Sequence, residues 1–443
     1  MRFSHTALIA VAAPLLVIAC SDASDEPQYG ANPQLPDQQR GLLPNMKIAS
    51  PAKWGDRRPT VPEGYAITAI ATGLKVPRQT LILPNGDILV AEGKGGHAPK
   101  LNPKDVIAGF IKAKGTTSVE GGNRLTLLRD ADGDGTYEAR SVFAEGLDAP
   151  YGLAYANGQI YVANQGELVR FTYRDGQTKA DAAPIRVTDL PDAINHHWTK
   201  SLAASPDGRY LYVGIGSNSN IGERGMAAEV DRAMVWQVDA QTGAHRPFAT
   251  GVRNPTALAV QPGSGTLYAV ANERDELGSN LVPDYLTSLR DGAFYGWPYS
   301  YWGQNVDPRV RPKDPDKVAA AVKPDYSLGA HVAALGLAFS SPAMGPRFAE
   351  GAFVGEHGSW NRSEPSGYKV VFVPFANRLP AGPPIDVVTG FRGSDGKTYG
   401  RPVGVSIDPR GALIICDDLS NTVWRMAPAA PSNPRAPSPR PAS

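Results

Sequence analysis

Residues 195–217 read NHHWTKSLAASPDGRYLYVGIGS. A polar and aromatic opening leads into a short apolar run, a Ser-Pro-Asp-Gly turn follows, and a second run then alternates aromatic, aliphatic and glycine residues. Pro and Gly at these places are typical of a β-turn, and a period of two is typical of a strand. The stretch therefore predicts a β-hairpin whose first strand is preceded by polar side chains.

The same pattern recurs along the chain, and this recurrence decides the fold. Six copies can be recognised, at residues 75–92, 148–164, 195–217, 252–273, 331–358 and 400–418. Repeats of short strands at such spacing indicate a sheet that is repeated radially. We predict an all-β chain that forms a six-bladed β-propeller with two long loop insertions, Lys94 to Gly122 and Arg274 to Leu328.

Polar side chains stand just before the first strand of the successive copies. They are Lys75, Arg78, Asp148, His197, Arg253, Asn254, His331 and Arg401. Because equivalent positions of a propeller surround the central axis, we expect these side chains to converge on one mouth of the channel.

The two ends of the chain differ from its centre. Residues 1–20 have a short apolar run that ends at Cys20, which predicts a lipoprotein-type export signal and a periplasmic protein anchored through that cysteine, with simple secretion as the alternative. Residues 21–60 are predicted to be a flexible tether, residues 61–426 the propeller domain, and residues 427–443 a disordered tail rich in Pro and Ala.

Charge and cysteine content exclude several classes of function. The 44 basic residues nearly balance the 43 acidic ones, which argues against a nucleic-acid surface and favours a small neutral substrate. With Cys20 acylated, Cys416 has no partner, and its apolar strand predicts that it is buried and inert. Contact with a membrane is expected only through the lipid.

An acidic loop is a candidate metal site. Asp130, Asp132, Asp134 and Glu138 occupy loop positions one, three, five and nine, with glycine at position six. Hard oxygen ligands at this spacing suit Ca²⁺. Position twelve is a serine and the flanks read as strands, so we predict a structural calcium hairpin rather than an EF-hand, with a solvated acidic turn as the alternative.

His197 is the best candidate for a general base, because an imidazole titrates near neutrality. A structural histidine is the alternative, and His196 would point to the opposite face if the segment is extended. Arg253, Arg401 and Arg362 offer permanent charges that favour an anionic ligand. No nucleophile elbow, zinc motif or dinucleotide loop is present in the sequence, so residue patterns alone leave the reaction open.

Several phrases resemble the sorbosone dehydrogenase branch of the soluble quinoprotein sugar dehydrogenases. They are HHWTKSL at 196–202, RNP at 253–255, NERDELG at 272–278, GWPY at 296–299, GSWNR at 358–362 and YGRPVGV at 399–405. The resemblance extends from about residue 62 to residue 426. It implies a six-bladed propeller that oxidises a sugar or sugar-derived aldehyde with pyrroloquinoline quinone and Ca²⁺, and passes electrons to an external quinone or cytochrome.

The resemblance also implies roles for individual residues. His197 matches the base that takes the substrate proton, Arg253 the arginine that polarises the quinone oxygen, and Asn254 its hydrogen-bonding neighbour. Arg401 and Arg362 match basic residues that meet the quinone carboxylates. The backbone at Arg274 and Asp275 matches the position of the catalytic calcium.

Two departures from the family pattern concern the cofactor contacts. Gly216-Ser217 replaces a Gly-Asp pair of the glucose-oxidising branch, and Arg362 stands where that branch has a lysine. Two other functions remain as alternatives, a calcium-dependent lactonase-type hydrolase and a non-catalytic propeller that binds carbohydrate or peptide.

Overall fold

The computed structural model describes residues 28–39, 46–48, 50–96, 98–100, 106, 109 and 113–429. Within these residues the chain is all-β and forms a six-bladed β-propeller, which confirms the predicted fold. The predicted export signal with Cys20, and nearly all of the predicted C-terminal tail, lie outside the described residues. None of the helices in the described part is long and apolar enough to cross a membrane.

Each blade is an antiparallel sheet of four main strands that follow one another from the central axis outwards. Blade 1 contains Pro77–Ile82, Ile88–Glu92, Arg124–Arg129 and Ala139–Glu145; blade 2 contains Gly152–Ala156, Gln159–Ala163, Glu167–Thr172 and Ile185–Asp189; blade 3 contains Lys200–Ala204, Tyr210–Ile215, Met234–Asp239 and His245–Thr250. Blade 4 contains Pro255–Val260, Leu267–Ala271, Pro283–Ser288 and Tyr326–Ala330; blade 5 contains Ala334–Phe339, Gly351–Glu356, Lys369–Ala376 and Ile385–Val388; blade 6 contains Pro402–Ile407, Leu413–Asp417, Thr422–Pro428 and Tyr65–Ala71.

Shorter elements decorate the blades. They are the strands Tyr29–Gly30, Ser50–Pro51, Ser300–Tyr301, Asn305–Val306, Leu379–Pro380 and Lys397–Thr398, the α-helix Pro315–Ala320, and the 3₁₀ turns Met226–Glu229, Pro342–Met344 and Pro346–Phe348. The insertion between the third and fourth strands of blade 4 carries the α-helix and one short hairpin.

Blade 6 is closed by the first long strand of the chain. Tyr65–Ala71 pairs antiparallel with Thr422–Pro428, and Ile67 lies opposite Met426 in the register. Both side chains are buried, as is Trp424 on the same strand as Met426. The ring of blades is thus held shut by hydrogen bonds between the two ends of the domain.

The inner strands pack closely around the axis because glycine stands where neighbouring blades touch. A Cβ on Gly336 would lie 2.2 Å from the Val403 carbonyl oxygen, and one on Gly355 would lie 2.3 Å from the same atom. The backbone of blade 6 therefore packs directly against these two glycines of blade 5, and no space remains there for a methyl group. The apolar cores lie between adjacent blades; one of them joins Ala154 and Leu202 of blades 2 and 3.

The N-terminal segment differs from the predicted flexible tether. Tyr29–Gly30 adds a strand to the outer edge of blade 4, and Thr60 pairs with Thr389 of blade 5. The Trp54 ring packs at 5.4 to 5.6 Å from three aromatic rings, those of Phe391, Tyr399 and Trp424. The polar composition of the N-terminal segment gave no sign of this packing, because a few backbone pairings and one tryptophan are enough to fix such a segment.

Removing the closing strand is expected to abolish cooperative folding. A chain that starts at Gly73 loses Tyr65–Ala71 and exposes the edge of blade 6, whereas a chain that starts at Lys53 keeps both that strand and Trp54. Thermal melting followed by circular dichroism should give one sharp transition for the longer chain and a broad, earlier one for the shorter. Equal melting curves would show that the closure contributes nothing to stability.

Candidate active site

A cavity of about 340 Å³ lies at the end of the propeller where the inner strands begin. Its wall contains residues from all blades except blade 2 and from two of the loops that cover the mouth. The polar and aromatic members of the wall are Arg78, Thr116, His196, His197, Trp198, Arg253, Asn254, Asn272, Glu273, Asp275, Asp284, His331, His357, Trp360 and Arg401. The predicted convergence is confirmed for six of the eight phase-equivalent residues; Lys75 and Asp148 are exposed and lie outside this wall.

His197 is held in one orientation by Ser217. Its Nδ1 lies 2.8 Å from the Ser217 carbonyl oxygen and 3.0 Å from Ser217 Oγ, while Ser217 Oγ itself donates to the Ser219 carbonyl at 2.6 Å. Because a carbonyl only accepts, Nδ1 is the donor, and the neutral ring carries its lone pair on Nε2. This is the tautomer that a base acting through Nε2 requires.

The strand end behind His197 is glycine for a steric reason. A Cβ on Gly216 would lie 2.5 Å from His197 Cβ and 2.4 Å from Asn254 Oδ1. His197 and Asn254 can therefore sit side by side across the end of blade 3 only when residue 216 has no side chain.

His196 also lines the cavity, because the segment is not extended and the condition for the opposite orientation is not met. The expectation assumed an extended segment, but residues 196 and 197 lie in a bend, and Asn195 before them has a φ of 56°. The two imidazole rings consequently meet edge to face with centroids 4.7 Å apart.

Arg253 is buried and fixed mainly by main-chain carbonyls. Its guanidinium donates to the carbonyls of Asn220 at 3.1 Å and Glu273 at 2.8 Å, and to Asn220 Oδ1 at 3.0 Å. Asp275 Oδ2 lies 3.7 Å from Nη2. The positive charge is thus rigidly placed at the cavity wall, with the Asp275 carboxylate within ion-pair distance.

Two buried amides at the wall have unused hydrogen-bonding capacity. Among the described residues, neither Asn254 Oδ1 nor Asn272 Oδ1 has a hydrogen-bond partner. Both residues line the cavity. A buried polar atom without a partner is costly, which indicates that a ligand or solvent completes these contacts.

The opposite wall holds a second group of charges. Arg401 donates to the carbonyls of His357 at 3.0 Å and Gly358 at 2.8 Å, and burial lowers its pKa. His357 Nε2 lies 2.9 Å from Asp418 Oδ1, and Arg78 forms an ion pair with Asp418. Burial alone would raise the pKa of Asp418, but His357, Arg78 and Arg401 together lower it to about 2.

Among the buried histidines, His331 and His357 are poorly suited to act as bases. Burial and the nearby Arg401 charge lower the pKa of His357 to about 4. Burial also lowers the pKa of His331, whose Nε2 donates to the carbonyls of Gly278 at 3.1 Å and Leu281 at 3.0 Å. A group with a depressed pKa is a weak proton acceptor. His197, oriented by neutral oxygens of Ser217, is the better candidate.

Three carboxylates at the cavity come from the third strand of blade 4 and from the loop that precedes this strand. Burial raises the pKa of Glu273 and that of Asp284 to about 7. Asp284 accepts hydrogen bonds from the backbone N–H groups of Glu273 at 2.8 Å and Ala333 at 2.7 Å. Asp275 is less buried, with 17% of its side chain exposed, and its Oδ1 lies 3.6 Å from His331 Nδ1.

The side chains of Arg362 and Arg274 do not line the cavity, and for Arg274 the resemblance implicates the backbone rather than the side chain. Arg362 is not among the described residues that line the cavity. Its guanidinium donates instead to the carbonyls of Ser279 at 2.7 Å and Glu364 at 2.9 Å. Arg274 is 1% exposed, and its Nε lies 3.0 Å from Asp307 Oδ2. Its neighbour Asp275 does reach the wall.

The acidic loop 130–138 lies away from this cavity. It joins the third and fourth strands of blade 1, and since the third strand begins at the cavity end, the loop lies at the opposite end of the propeller. One oxygen from each of Asp130, Asp132, Asp134 and Glu138 lies within 4.8 Å of the others, while Asp130 also pairs with Arg410 at 2.6 Å. The flanking strands are confirmed, and calcium binding there stays a prediction.

Sequence reasoning missed the residues that follow the second strand of each copy. Asn272 and Glu273, His357, and Asp418 all come directly after such strands. The second strand of an antiparallel pair ends where the first begins, so these residues reach the same end of the propeller. Polar pairs recur at these places in the sequence and could have indicated these residues; the pairs are Asn272-Glu273, Glu356-His357 and Asp417-Asp418.

Comparisons with known proteins agree with this architecture. A family model described as "Domain of unknown function (DUF7133)" matches residues 85–326, and one described as "TrAA12-like" matches residues 303–428. An uncharacterised protein of Borreliella burgdorferi is 25% identical over 325 residues, which cover 71% of this chain and 86% of that protein.

Two fungal proteins extend the comparison. The chain is 23% identical to the pyrroloquinoline quinone-dependent pyranose dehydrogenase of Coprinopsis cinerea, over 71% of this chain but only 44% of that protein. The holo structure of that enzyme's quinone domain superposes with a TM-score of 0.67 at 20% identity, covering 84% of this chain and 97% of the domain. The calcium structure of a Trichoderma reesei carbohydrate-active enzyme of family AA12 gives 0.68 at 20%, covering 87% and 99%. At these identities the structures establish the fold.

A buried acid beside this site should make stability depend on pH. Glu356 is 2% exposed, its Oε2 has no hydrogen-bond partner among the described residues, and burial raises its pKa to about 8. Its contribution to stability is full below the ordinary glutamate pKa of about 4.3 and is lost as pH rises through about 8. Between these two pH values the loss is at most about 1.4 kcal/mol for each pH unit. Between about pH 5 and about pH 9, the free energy of unfolding should therefore decrease less for Glu356→Gln than for the native chain.

Denaturant unfolding at several pH values checks this expectation. Glu63→Gln, at an exposed position, is the matched control and should follow the native curve. Parallel curves for Glu356→Gln and the native protein would show that Glu356 ionises without cost.

Proposed function

This chain belongs to the family described as "Domain of unknown function (DUF7133)", and we propose that it is a pyrroloquinoline quinone- and calcium-dependent dehydrogenase. Its substrate would be a sugar or a sugar-derived aldehyde of the aldose or sorbosone type. The observation that carries the proposal is the single cavity wall that combines an oriented histidine with fixed arginines. The names of the fungal relatives support the same chemistry.

The residues at the cavity fit an anionic, planar cofactor rich in oxygen and nitrogen. Arg253, Arg401 and Arg78 place three permanent charges on the wall, and the buried Arg78 Nε has no hydrogen-bond partner among the described residues. The unpartnered oxygens of Asn254 and Asn272 add polar atoms that need a partner. Arginine forks suit carboxylates, so this wall would hold a polycarboxylate.

Calcium would find hard oxygen ligands in the same cavity. Carboxylates of Glu273, Asp275 and Asp284, and the unpartnered Asn272 Oδ1, lie on the blade 4 side of the wall. Carboxylate and amide oxygens are the ligands that Ca²⁺ prefers. We therefore propose that the calcium binds on this side, where the resemblance also implicates the backbone at Arg274 and Asp275.

His197 and Arg253 would carry out the steps that belong to the protein. His197 Nε2 takes the proton of a substrate hydroxyl, or of the hydrate of an aldehyde, and the resulting imidazolium keeps its Nδ1 bond to Ser217. Arg253, held by carbonyls, supplies a fixed positive field for negative charge that develops in the cavity. Pyrroloquinoline quinone, when bound, supplies the acceptor for the hydride. An external quinone or cytochrome would then remove the electrons.

A calcium-dependent lactonase is the second candidate. Such a hydrolase needs carboxylate and Asn oxygens around a metal, and Glu273, Asp284, Asn254 and Asn272 all reach the cavity. The arginines weigh against it, because Arg253 and Arg401 place positive charge on the same wall. A non-catalytic propeller that binds carbohydrate or peptide has no specific support from the geometry.

Reconstitution tests the proposed reaction. Protein from Ser21 onwards, with Ca²⁺ and pyrroloquinoline quinone added, should reduce a dye when aldoses, sorbosone or simple aldehydes are supplied. His197→Ala should lower the rate by about 10²-fold or more, since positioned acid–base groups contribute on this scale. His245→Ala is the matched control, because His245 is an exposed histidine that stacks on Trp236 outside the cavity.

The outcomes separate the candidate functions. Turnover that requires both additions and falls in His197→Ala supports the dehydrogenase. Failure to bind the quinone would reject it, and hydrolysis of lactones with Ca²⁺ alone would establish the second candidate.

We also propose export and lipid anchoring through Cys20, which rests on the sequence of residues 1–20. Metabolic labelling with palmitate in a bacterial host should mark the native chain and leave Cys20→Ser unlabelled. Equal labelling of the two proteins would contradict the proposal.

A further inference from the structure

The bend that carries His197 is held from beneath by a buried lysine. Lys200 is 0% exposed and is the first residue of the inner strand of blade 3. Its Nζ donates to Asn195 Oδ1 at 2.9 Å and to the Trp198 carbonyl at 3.1 Å. These two acceptors flank His196 and His197 in the sequence, so the Lys200 Nζ spans the bend.

A buried arginine joins the same acceptor. Arg232 is 3% exposed, and its Nη2 donates to Asn195 Oδ1 at 3.2 Å and to the Pro191 carbonyl at 2.7 Å. Its Nη1 donates to the Gly216 carbonyl at 3.1 Å, directly before Ser217. Arg232 therefore ties the start of the bend to the strand end that orients the His197 ring.

These two basic side chains are expensive to bury, which points to a specific role. The described residues place no carboxylate within ion-pair distance of Lys200 or Arg232. Burial, and then the charge of Arg232, lower the pKa of Lys200 well below its ordinary value, against the opposing charges of Asp192 and Asp148. A buried cation that serves packing alone would be replaced by an apolar side chain at less cost.

We propose that Lys200 is a positioning residue for catalysis: through Asn195 and the Trp198 carbonyl it fixes the bend that presents His197 to the cavity, with Arg232 as its support. The inference rests on the proposed role of His197 as the base. The left-handed backbone of Asn195, with φ of 56°, is the point at which the bend would relax if the lysine were lost. Movement of a catalytic group by about 1 Å can cost about 10²-fold in rate.

Lys200→Met removes the donors while keeping a long side chain, and Lys200→Arg restores donors at nearly the same place. Nitrogen-15 NMR of histidine-labelled protein, without added quinone or calcium, reports the Nδ1–H of His197, which His197→Ala identifies by its loss. That resonance should be lost or averaged in Lys200→Met and retained in Lys200→Arg. In reconstituted enzyme, kcat/KM should fall by about 10²-fold in Lys200→Met and by less than about tenfold in Lys200→Arg.

Lys369→Met controls for the loss of a partly buried lysine, because Lys369 pairs with Asp386 on blade 5 outside the cavity. It should leave both the NMR signal and the rate unchanged. Should Lys200→Met fail to fold, Asn195→Gly removes the shared acceptor while tolerating the positive φ, and should reproduce the loss of the resonance.

A retained His197 resonance in folded Lys200→Met, with an unchanged pH profile of kcat/KM, would overturn the positioning role. If the native protein oxidises no sugar, the proposed function fails, but the NMR comparison still decides whether Lys200 holds the bend.

Discussion

The pairing of Tyr65–Ala71 with Thr422–Pro428 is the constraint on which the rest of the structure depends. A propeller becomes a closed ring only when its last blade is completed, and in this chain the completing strand comes from the other end of the domain. Because every blade repeats the same order of strands, the six inner strands begin at one end of the axis, and closure brings blades 1 and 6 together there. Polar residues that are far apart in the sequence therefore become neighbours at one cavity.

The cavity derives its chemistry from how its charges are held. Arg253 and Arg401 donate mainly to main-chain carbonyls, so the backbone fixes the position of their positive charge. Burial raises the pKa values of Glu273 and Asp284 to about 7, so the acidic side of the wall is only partly charged near neutrality. Such a wall is prepared for an anionic ligand on one side and a cation on the other.

The repeat pattern predicted the fold, the end of the propeller that forms the site and most of the phase-equivalent residues, including His197, Arg253 and Arg401. The other placements have physical causes. His196 reaches the cavity because the segment bends after a left-handed Asn195, whereas an extended segment would have turned it to the opposite face. Arg362 was expected at the cofactor, but its long side chain turns to the carbonyls of Ser279 and Glu364. A motif fixes the place of a Cα, whereas rotamers and neighbours decide where a guanidinium points.

The sequence by itself determined the architecture, because glycine, proline and alternating residues specify strands and turns locally and repeat six times. It also determined which residues begin each inner strand. Only the tertiary structure decided which partners those residues meet. The Ser217 contact that sets the His197 tautomer, the Asp418 contact of His357 and the Arg232 contact with Asn195 join residues that are far apart in the sequence, and no local pattern encodes them. Contacts between residues of different blades form only when the ring closes, and they can therefore be identified only in the folded structure.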